Sequence, residues 1–564
     1  MKRTCIAGWQ PAADCLSASR VQRTFTTRPI TNRPQVNNLP YIALLVACAT
    51  AWGATNFDSE GARWWSHIEY LAGDALQGRG IGTPGFKKAS EYAATQFEKA
   101  GLKPAGTDGY FQPIDFNVRE IDEPKCSVAL VRNGKAEPLT LGEDGNIRVT
   151  GEPAHEIDAA AVFVGHGLKI PEKNYDDLAG QDLKGKLVVY LTGAPADIPG
   201  PLASHYQSLG ERWKALRAAG VIGILSIPNP KSMDIPWSRS TLARFRPVVS
   251  IADPSMIETR GLKLAMTINP AHAEKLFEGS GHTFEEILAD ADGKKPLPHF
   301  ALPAQIRAHV SYTESKMQSR NTAGVYEGSD PQLKKEYVVM SAHLDHLGVG
   351  RPINGDAIYN GAMDDASGVA SIIEISTMLH EQKVRTKRSI LFIAVTGEES
   401  GELGSNYFAG HSTVPASSIV ADINLDMFMP LHSLKYLEVQ GVNESTLGND
   451  IRAVAEKNGV EVQADKEPQR NLFIRSDQYS FIKHGVPALA FKFGYTFGSP
   501  EEQIHKEWLK NRYHAPSDDL NQPVDKPAAA KFNVIIEQLL ERVADDPSRP
   551  KWNENSFFRR FAQS

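Results

Sequence analysis

The stretch of residues 341–404 constrains this chain more than any other, because it concentrates acidic and histidine residues at the ends of apolar segments. It contains SAHLDHLG, GAMDDASG and TGEESGELG, and in them His343, Asp345, Asp364, Asp365, Glu398 and Glu399. Apolar runs typical of buried strands precede the first and third clusters, at residues 337–340 and 390–395. Loops that follow parallel strands meet at one edge of an α/β sheet. The pattern therefore predicts a metal site at that edge.

The segment after Asp364 and Asp365 predicts a helix packed closely on this sheet. Its apolar and small residues recur at helical spacing, namely Ala366, Ala370, Ile372, Ile373, Ile375, Ser376 and Leu379. Asp365 or Ser367 is suited to cap its start. Because strands and helices alternate through the last third of the chain, the predicted fold class is α/β.

Length and charge restrict the architecture and the partners. A chain of 564 residues with 41% hydrophobic and 23% charged residues is globular and too long for a single core. The net charge is -6, and residues 1–55 alone carry +5, which leaves -11 for the remainder. This acidity argues against a nucleic-acid partner.

Residues 1–55 predict a leader. A polar, Arg-rich start is followed by an apolar run at residues 41–49 that is too short to span a bilayer, with small residues nearby that suit signal-peptidase cleavage. Residues 45–48 also resemble a lipoprotein cleavage box, which predicts a lipid anchor at Cys48 as one alternative. An organelle transit peptide is another. We expect an exported protein, and with the leader removed only Cys126 of the four cysteines remains, so no internal disulfide can form.

The middle of the chain has a different composition. Residues 126–301 contain short β-type runs punctuated by Gly and Pro, and their histidines are scattered, at positions 155, 166, 205, 272 and 282. A lone histidine is more often a surface or satisfied core residue than a ligand. We interpret residues 126–301 as a β-rich insertion into a domain formed by residues 56–125 and 302–550, with a tail at 551–564. The Gly-rich loop at residues 78–85 is interpreted as a flexible connection, since it lacks the Lys-Ser/Thr of a phosphate-binding loop.

Five motifs in order, HLD, GAMDDASG, TGEESG, NLDM and YHAPSDD, resemble those of the zinc aminopeptidase family. That family includes bacterial dizinc aminopeptidases, glutamate carboxypeptidases and the non-catalytic transferrin receptor. The resemblance covers nearly the whole chain after residue 57. Residues 161–193 resemble the protease-associated domain inserted in many members. The resemblance implies the zinc exopeptidase fold, a mixed and mostly parallel sheet flanked by helices, with that inserted domain.

The resemblance also implies the site residues and the cofactor. Two Zn²⁺ per chain would be held by His343, Asp364, Glu399, Asp426 and His514, with Asp364 shared between them. Such ligands suit zinc, and three per ion leave a position for water. Glu398 would be the general base. Asp345 would accept the hydrogen bond from the other ring nitrogen of His343.

Several neighbouring residues compete for these roles. His346 and Asp365 lie beside ligands but would duplicate them, and His505 competes with His514, which is preferred because it lies in the YHAPSDD motif. Asp477 is suited either to support the site or to cap a helix. Phe473 stands where one bacterial branch has a tyrosine that contacts the substrate oxyanion.

The implied function is hydrolysis of N-terminal peptide bonds by a dizinc-activated water, with peptides as substrates. Two alternatives remain open: a carboxypeptidase or dipeptidase on the same scaffold, and an inactive receptor-like binding protein. Side-chain specificity and oligomeric state are not predicted, because they depend on pocket shape and on surfaces that scattered residues set.

Overall fold

A computed structural model describes residues 57–563 except positions 234 and 471. The strands are β1 (Lys103–Pro104), β2 (Phe111–Ile121), β3 (Ser127–Arg132), β4 (Lys135–Leu139), β5 (Gly145–Arg148), β6 (Glu156–Val164), β7 (Lys169–Ile170), β8 (Tyr175–Asp176), β9 (Leu187–Leu191), β10 (Gly223–Ile227), β11 (Val248–Ile251), β12 (Leu264–Ile268), β13 (His299–His309), β14 (Tyr312–Tyr326), β15 (Tyr337–His343), β16 (Gly348–Ile353), β17 (Asp356–Tyr359), β18 (Ser389–Val395), β19 (Ile419–Asn424), β20 (Tyr436–Gln440), β21 (Glu461–Gln463) and β22 (Ala488–Phe493).

The α-helices are α1 (Phe57–Leu71), α2 (Pro84–Lys99), α3 (Gly200–Gln207), α4 (Leu209–Ala218), α5 (Trp237–Ser240), α6 (Glu274–Phe277), α7 (Phe284–Asp292), α8 (Ser367–Glu381), α9 (Leu403–Gly410), α10 (Leu447–Lys457), α11 (Gln478–Lys483), α12 (Pro500–Asn511) and α13 (Lys526–Asp545). Short 3₁₀ turns connect many of them.

The larger sheet has the strand order β11-β2-β14-β18-β15-β19-β22-β20-β21, with β1 paired to β14. Its centre is parallel, from β18 through β15 and β19 to β22, and the outer pairings are antiparallel except for β20 with β21. The predicted mixed α/β class is confirmed. Because three adjacent central strands run in the same direction, the residues that follow β15, β18 and β19 lie at one edge.

Helices cover both faces of this sheet. Helices α1, α2, α8 and α13 pack with residues such as Val338 and Phe392 on one face, while α9 and α11 pack with Val339 and Leu391 on the other. Each fully buried aliphatic side chain contributes roughly 1.5–3 kcal/mol relative to exposure. The strands at the centre are therefore apolar on both sides and are held rigidly.

Helix α8 lies close to the end of β19, as the small residues in its sequence predict. A Cβ at Gly368 would stand 2.2 Å from the carbonyl oxygen of Leu425, so only glycine fits there. The indole of Trp64 donates to the Ser367 carbonyl at 3.1 Å and to the Ser371 hydroxyl at 3.0 Å, which ties α1 to α8. These contacts fix the start of α8, which directly follows the turn that carries Asp364 and Asp365.

The Gly-rich loop at residues 78–85 is tied to this edge by Arg79, which is fully buried. Its guanidinium donates to the carbonyls of Leu344, Leu71, Asn360 and Gly361 at 2.9, 2.6, 2.6 and 3.0 Å. The expectation of a flexible connection is therefore wrong at Arg79, because four hydrogen bonds to separate segments hold it in place.

The second sheet contains β4-β3-β13-β6-β9-β10-β12-β5 in that order and has its own apolar core. Most of its strands come from residues 126–301, but β13 runs on to His309. Conversely, β11 lies within 126–301 and pairs with β2 at the edge of the larger sheet. The predicted boundaries therefore do not coincide with the boundaries between the two sheets. The division into domains stays a prediction.

Among residues 57–563, leaving out the two undescribed positions, no helix combines the length and apolarity needed to cross a bilayer. The predicted leader and Cys48 lie outside the described residues.

Candidate metal centre

Four of the predicted residues lie at the carboxyl ends of three adjacent parallel strands. His343 is the last residue of β15, Glu398 and Glu399 follow β18 after a short turn, and Asp426 follows β19. The Nε2 atom of His343 lies 3.6 Å from Asp426 Oδ1 and 3.9 Å from Glu398 Oε2. The strand ends therefore bring His343 close to the carboxylates of Asp426 and Glu398.

Asp364 reaches the same point from the turn before α8. Its Oδ1 lies 3.1 Å from His343 Nε2, and its Oδ2 lies 3.3 Å from His514 Nε2. The peptide bond from Asp364 to Asp365 is cis. Because its two oxygens face two different histidines, Asp364 is the one carboxylate placed to bridge two ions.

His514 comes from the loop after α12 and has a φ of +52°, in the left-handed region. Its Nε2 lies 3.3 Å from Glu399 Oε2 as well as 3.3 Å from Asp364 Oδ2. Nothing in the local sequence places this loop at the strand ends, so its position is a tertiary feature.

The spacing of these atoms fits two divalent ions. Ligand atoms about 2.0–2.2 Å from a tetrahedral zinc lie roughly 3.3–3.6 Å from one another. The four contacts above from His343 and His514 to Asp364, Asp426 and Glu399 span 3.1 to 3.6 Å. Buried ligand-type atoms also lack a hydrogen-bond partner here, among them His343 Nε2, Asp364 Oδ2 and Asp426 Oδ1. The residues present therefore fit a pair of metal ions.

Two further residues lie within metal-binding reach. One possible ligand group combines His343, Asp365 and Asp426, and another combines His346, Asp364 and Glu399. Asp365 Oδ1, however, accepts from the backbone N–H groups of Gly368 at 2.9 Å and Met427 at 3.3 Å. Asp365 thereby joins the start of α8 to the loop after β19, and this use of its oxygen favours Asp364 as the ligand.

His346 is fully buried, and its Nδ1 lies 2.7 Å from Glu399 Oε1 but 3.8 Å from Asp364 Oδ2. It therefore faces the oxygen of Glu399 that points away from His514. This arrangement suits a residue that orients Glu399 better than one that duplicates His514.

Asp345 links two predicted site residues, His343 and Glu398. Its main-chain carbonyl lies 3.0 Å from His343 Nδ1 and can accept the ring proton, while its carboxylate accepts from the backbone N–H of Glu398 at 3.1 Å. Burial raises the pKa of Asp345 to about 7. Asp345 thus accepts from the histidine through its carbonyl, and it acts as a positioning residue.

The adjacent glutamates experience different surroundings. Burial raises the pKa of Glu398 well above its usual range, and Asp426 adds to this effect. Burial also acts on Glu399, but the facing His514 and His346 outweigh it and hold the pKa of Glu399 well below its usual range. Burial lowers the pKa of His514, yet Glu399 and Asp364 raise it to about 9. The shifts separate Glu399, which faces two histidines, from Glu398, which lies near the carboxylate of Asp426.

Two positioning or contact residues were missed by the sequence interpretation. The Asp518 carboxylate accepts from the backbone N–H groups of Met363 at 2.9 Å and Asp364 at 3.1 Å, so it holds the bridging carboxylate in place. Tyr513 lines the cavity that also contains Glu398 and His514, its ring centroid lies 4.0 Å from that of His514, and its hydroxyl has no partner among the described residues. Both lie in the YHAPSDD motif, which was the available signal.

The remaining candidates lie elsewhere or act differently. Phe473 packs against Phe558 of the C-terminal tail at 5.4 Å between centroids, so no phenol stands there. His505 packs near Tyr495, outside both ligand groups. Asp477 is fully buried and makes no side-chain capping hydrogen bond to α11, which argues against the capping role.

Comparison with known proteins agrees with this geometry. Residues 321–540 match the family model described as Peptidase family M28. The chain is 22% identical over 373 residues to carboxypeptidase Q of Xenopus laevis, covering 64% of each chain. It is 25% identical over 276 residues to a probable leucine aminopeptidase 2 of Aspergillus oryzae, covering 45% of this chain and 51% of that one. The matches thus span less than two thirds of these relatives' lengths.

An aminopeptidase from Aneurinibacillus is similar in structure, with a TM-score of 0.52 and 18% identity over 87% of this chain and 95% of that chain. This similarity shows a shared fold.

Proposed function

We propose that this protein, whose residues 321–540 belong to peptidase family M28, is a dizinc exopeptidase that hydrolyses N-terminal peptide bonds. The convergence of His343, Asp364, Glu399, Asp426 and His514 at ligand spacing is the observation that carries this proposal. The relatives named as aminopeptidases support the reaction class.

His343, Asp426 and one oxygen of Asp364 would hold the first ion, and Glu399, His514 and the other oxygen of Asp364 the second. Bound zinc would supply Lewis-acid polarisation of the substrate carbonyl and a lowered pKa for the attacking water. The protein's part is to keep these ligands rigid, through Arg79, Asp518 and Asp345.

Glu398 is the proposed general base. It borders the cavity beside His343 and lies next to a ligand without being close enough to serve as one, at 3.9 Å from His343 Nε2. In this position Glu398 removes a proton from the attacking water and passes it to the leaving amine. Asp345 holds the backbone of Glu398 at the required place.

Tyr513 is the proposed donor to the oxyanion that develops on the scissile carbonyl. Burial raises the pKa of its hydroxyl well above the usual range, so the group stays protonated. A donor aimed at developing charge is worth most in a site that excludes water. Tyr513 would thus replace the phenol that is absent at Phe473.

Hydrolysis of aminoacyl arylamides and their N-acetyl forms by the full chain supplied with zinc tests the proposal. Free-amine substrates should turn over and N-acetylated ones should not. Glu398→Gln should lower kcat by about 10² to 10⁴-fold while two equivalents of zinc still bind. The exposed Glu381→Gln serves as the matched control and should behave as the wild type. Full activity in Glu398→Gln would refute the role of this residue.

A carboxypeptidase is the second candidate, and Arg246 favours it. Its Nη1 lies 3.7 Å from Glu399 Oε2, close enough to the centre to bind a C-terminal carboxylate. Turnover of N-acetylated peptides with free carboxyl ends would select this candidate. An inactive receptor-like protein would bind no zinc and cut neither substrate class.

We further propose that residues 126–301 are an inserted protease-associated domain and that the protein is exported. The second sheet and its separate core support the insertion. The apolar run at residues 41–49 supports export. Cell fractionation with N-terminal sequencing of the mature chain tests the location and distinguishes cleavage before Cys48 from other sites.

A further inference from the structure

The centre lies between two cavities of opposite charge. One has a volume of about 820 Å³ and includes Glu399 and His514 in its wall together with four arginines, Arg148, Arg239, Arg246 and Arg351. The other has a volume of about 520 Å³ and shares Glu399 and His514. Its wall carries seven carboxylates, Glu398, Asp426, Glu402, Glu258 and Glu211 among them, against three cations, Arg212, Arg475 and Lys483. We call these the basic cavity and the acidic cavity.

The arginines of the basic cavity have little internal compensation. The carboxylates in its wall are Glu399, which is a proposed ligand, the buried Asp345 and the exposed Glu120. Arg148 makes no ion pair or side-chain hydrogen bond with any described residue, and the ion pair of Arg246 is with Glu399. Once Glu399 binds a cation, its charge no longer compensates Arg246. The guanidinium groups of Arg148 and Arg246 are then free to bind an anion from outside the protein.

The arginines are also held in place rather than loose. Arg239 donates to the Leu509 carbonyl at 3.0 Å, and the Arg351 guanidinium lies over the Phe245 ring at 4.2 Å from its centroid. Arg239 lies in α5, Arg246 follows Phe245 on the segment that leads into β11, and Arg148 ends β5. Residues 126–301 therefore supply three of the four cations.

The acidic cavity carries an uncompensated carboxylate. Glu402 has a φ of +57°, in the left-handed region that non-glycine residues rarely adopt, and its carboxylate accepts no hydrogen bond from the described residues. Lys483 of the same wall is already paired with Glu258 at 3.1 Å. The carboxylates of Glu402 and Glu398, neither of which is a proposed metal ligand, thus face a cavity suited to an ammonium group.

We propose that the substrates are dipeptides and tripeptides with both ends free, whose α-ammonium lies in the acidic cavity and whose C-terminal carboxylate is bound by Arg246 and Arg148. This inference rests on the proposed function and adds the substrate class. Arginine is the side chain best suited to bind a carboxylate, through two parallel N–H donors.

The dimensions agree with a short peptide. In a dipeptide the scissile carbonyl carbon and the α-carboxylate carbon are about 3–4 Å apart, since only N and Cα separate them. Arg246 Nη1 lies 3.7 Å from an oxygen of Glu399, a proposed ligand. A carbonyl bound at the centre therefore leaves the carboxylate of the next residue within reach of Arg246, and Arg148 extends the site for one more residue.

The test compares a dipeptide, its C-terminal amide, its N-acetyl derivative and the matching aminoacyl arylamide with the zinc-loaded full chain. The wild type should favour the free dipeptide over its amide by at least tenfold in kcat/KM, chiefly through KM. Arg246→Gln and Arg148→Gln should each lower this ratio at least fivefold. Arg217→Gln, an exposed arginine outside both cavities, is the matched control and should keep the ratio.

Each outcome separates the two proposals. No turnover of any substrate by zinc-loaded protein refutes the exopeptidase itself. If the arylamide, the amide and the dipeptide turn over at equal kcat/KM, the exopeptidase proposal is supported and carboxylate recognition is refuted. The same conclusion follows if the dipeptide-to-amide ratio of kcat/KM is unchanged in both arginine variants. Equal rates for the N-acetyl and free dipeptides refute the ammonium end. Arg148 is exposed, so Arg148→Gln leaves no buried void and gives a result even where Arg246→Gln disturbs zinc binding, which zinc content reports.

Discussion

Replacing Arg79 by lysine should both destabilise the fold and loosen the metal centre. The guanidinium makes four hydrogen bonds to main-chain carbonyls from three of its nitrogens. Burial lowers the pKa of Arg79 to about 10, against the effect of nearby carboxylates led by Asp518, so it is charged at neutral pH. Lysine keeps the charge but has a single nitrogen. That nitrogen can donate at most to the two carbonyls that Nη1 binds, those of Leu71 and Asn360.

The magnitude follows from the two lost bonds, those to Leu344 and Gly361. Each hydrogen bond from a charged donor contributes roughly 1.5–3 kcal/mol net, so Arg79→Lys should lower the unfolding free energy by about 3–6 kcal/mol. Domains are typically stable by about 5–15 kcal/mol, so the variant should still fold. Leu344 follows a proposed ligand directly and Gly361 lies three residues before Asp364, and loss of such support should weaken metal binding by about 10–100-fold.

Urea denaturation of the zinc-free chain measures the first effect, and competition with a chelator measures the second. Arg320→Lys is a suitable control, because Arg320 is a partly exposed arginine that bonds to Ser90 and Glu91 away from the centre. An Arg79→Lys protein with the wild-type urea midpoint and the wild-type zinc affinity would refute the reasoning.

Three other outcomes follow from the same structure. Gly368→Ala should lower the melting temperature and the zinc affinity, because its Cβ would stand 2.2 Å from the Leu425 carbonyl oxygen. The control is Gly459→Ala, at a surface glycine with open space around it, and it should affect only the melting temperature. Burial, with Glu541 adding to it, raises the pKa of Glu537 to about 8 from 4.5. Between these two pH values the native chain therefore holds a proton that the unfolded chain releases. The contribution of Glu537 to the unfolding free energy is fully present below about pH 4.5 and is lost as pH rises through 8. Glu537→Gln should therefore have a higher melting temperature than the wild type at pH 9 but not at pH 4.5. Equal differences at the two pH values would contradict this. Chelation should lower the melting temperature, and zinc at about 100 times its Kd should restore about 2.7 kcal/mol; no shift with zinc would argue against the centre.

The fold was predictable in outline because its signals are local. The apolar runs at residues 337–340 and 390–395 lie in β15 and β18, and the apolar spacing after Asp364 belongs to α8. Such runs are buried on both faces in a parallel sheet, so their composition reports their environment directly. The outer, antiparallel strands are less apolar, and the passage of β11 into the larger sheet had no local signal.

The site residues were only partly predictable. His343, Glu399 and Asp426 follow strand ends, whereas the place of His514 came from its motif, and only the folded chain brings it 3.3 Å from Glu399 and Asp364. Asp518 and Tyr513 lie in a recognised motif, but the sequence did not predict what they do. The role of each depends on which backbone groups or which cavity its side chain faces.

The sequence by itself determined the α/β class, the strand ends that carry ligand-type residues, and the kind of ion those residues suit. These depend on short-range patterns of apolar and ionisable side chains. Only the tertiary structure decided that Arg79 braces the centre, that His346 faces Glu399, and that Arg148 and Arg246 stand beside it. Most of those contacts join segments tens to hundreds of residues apart, and their distances arise from tertiary packing rather than from any local preference.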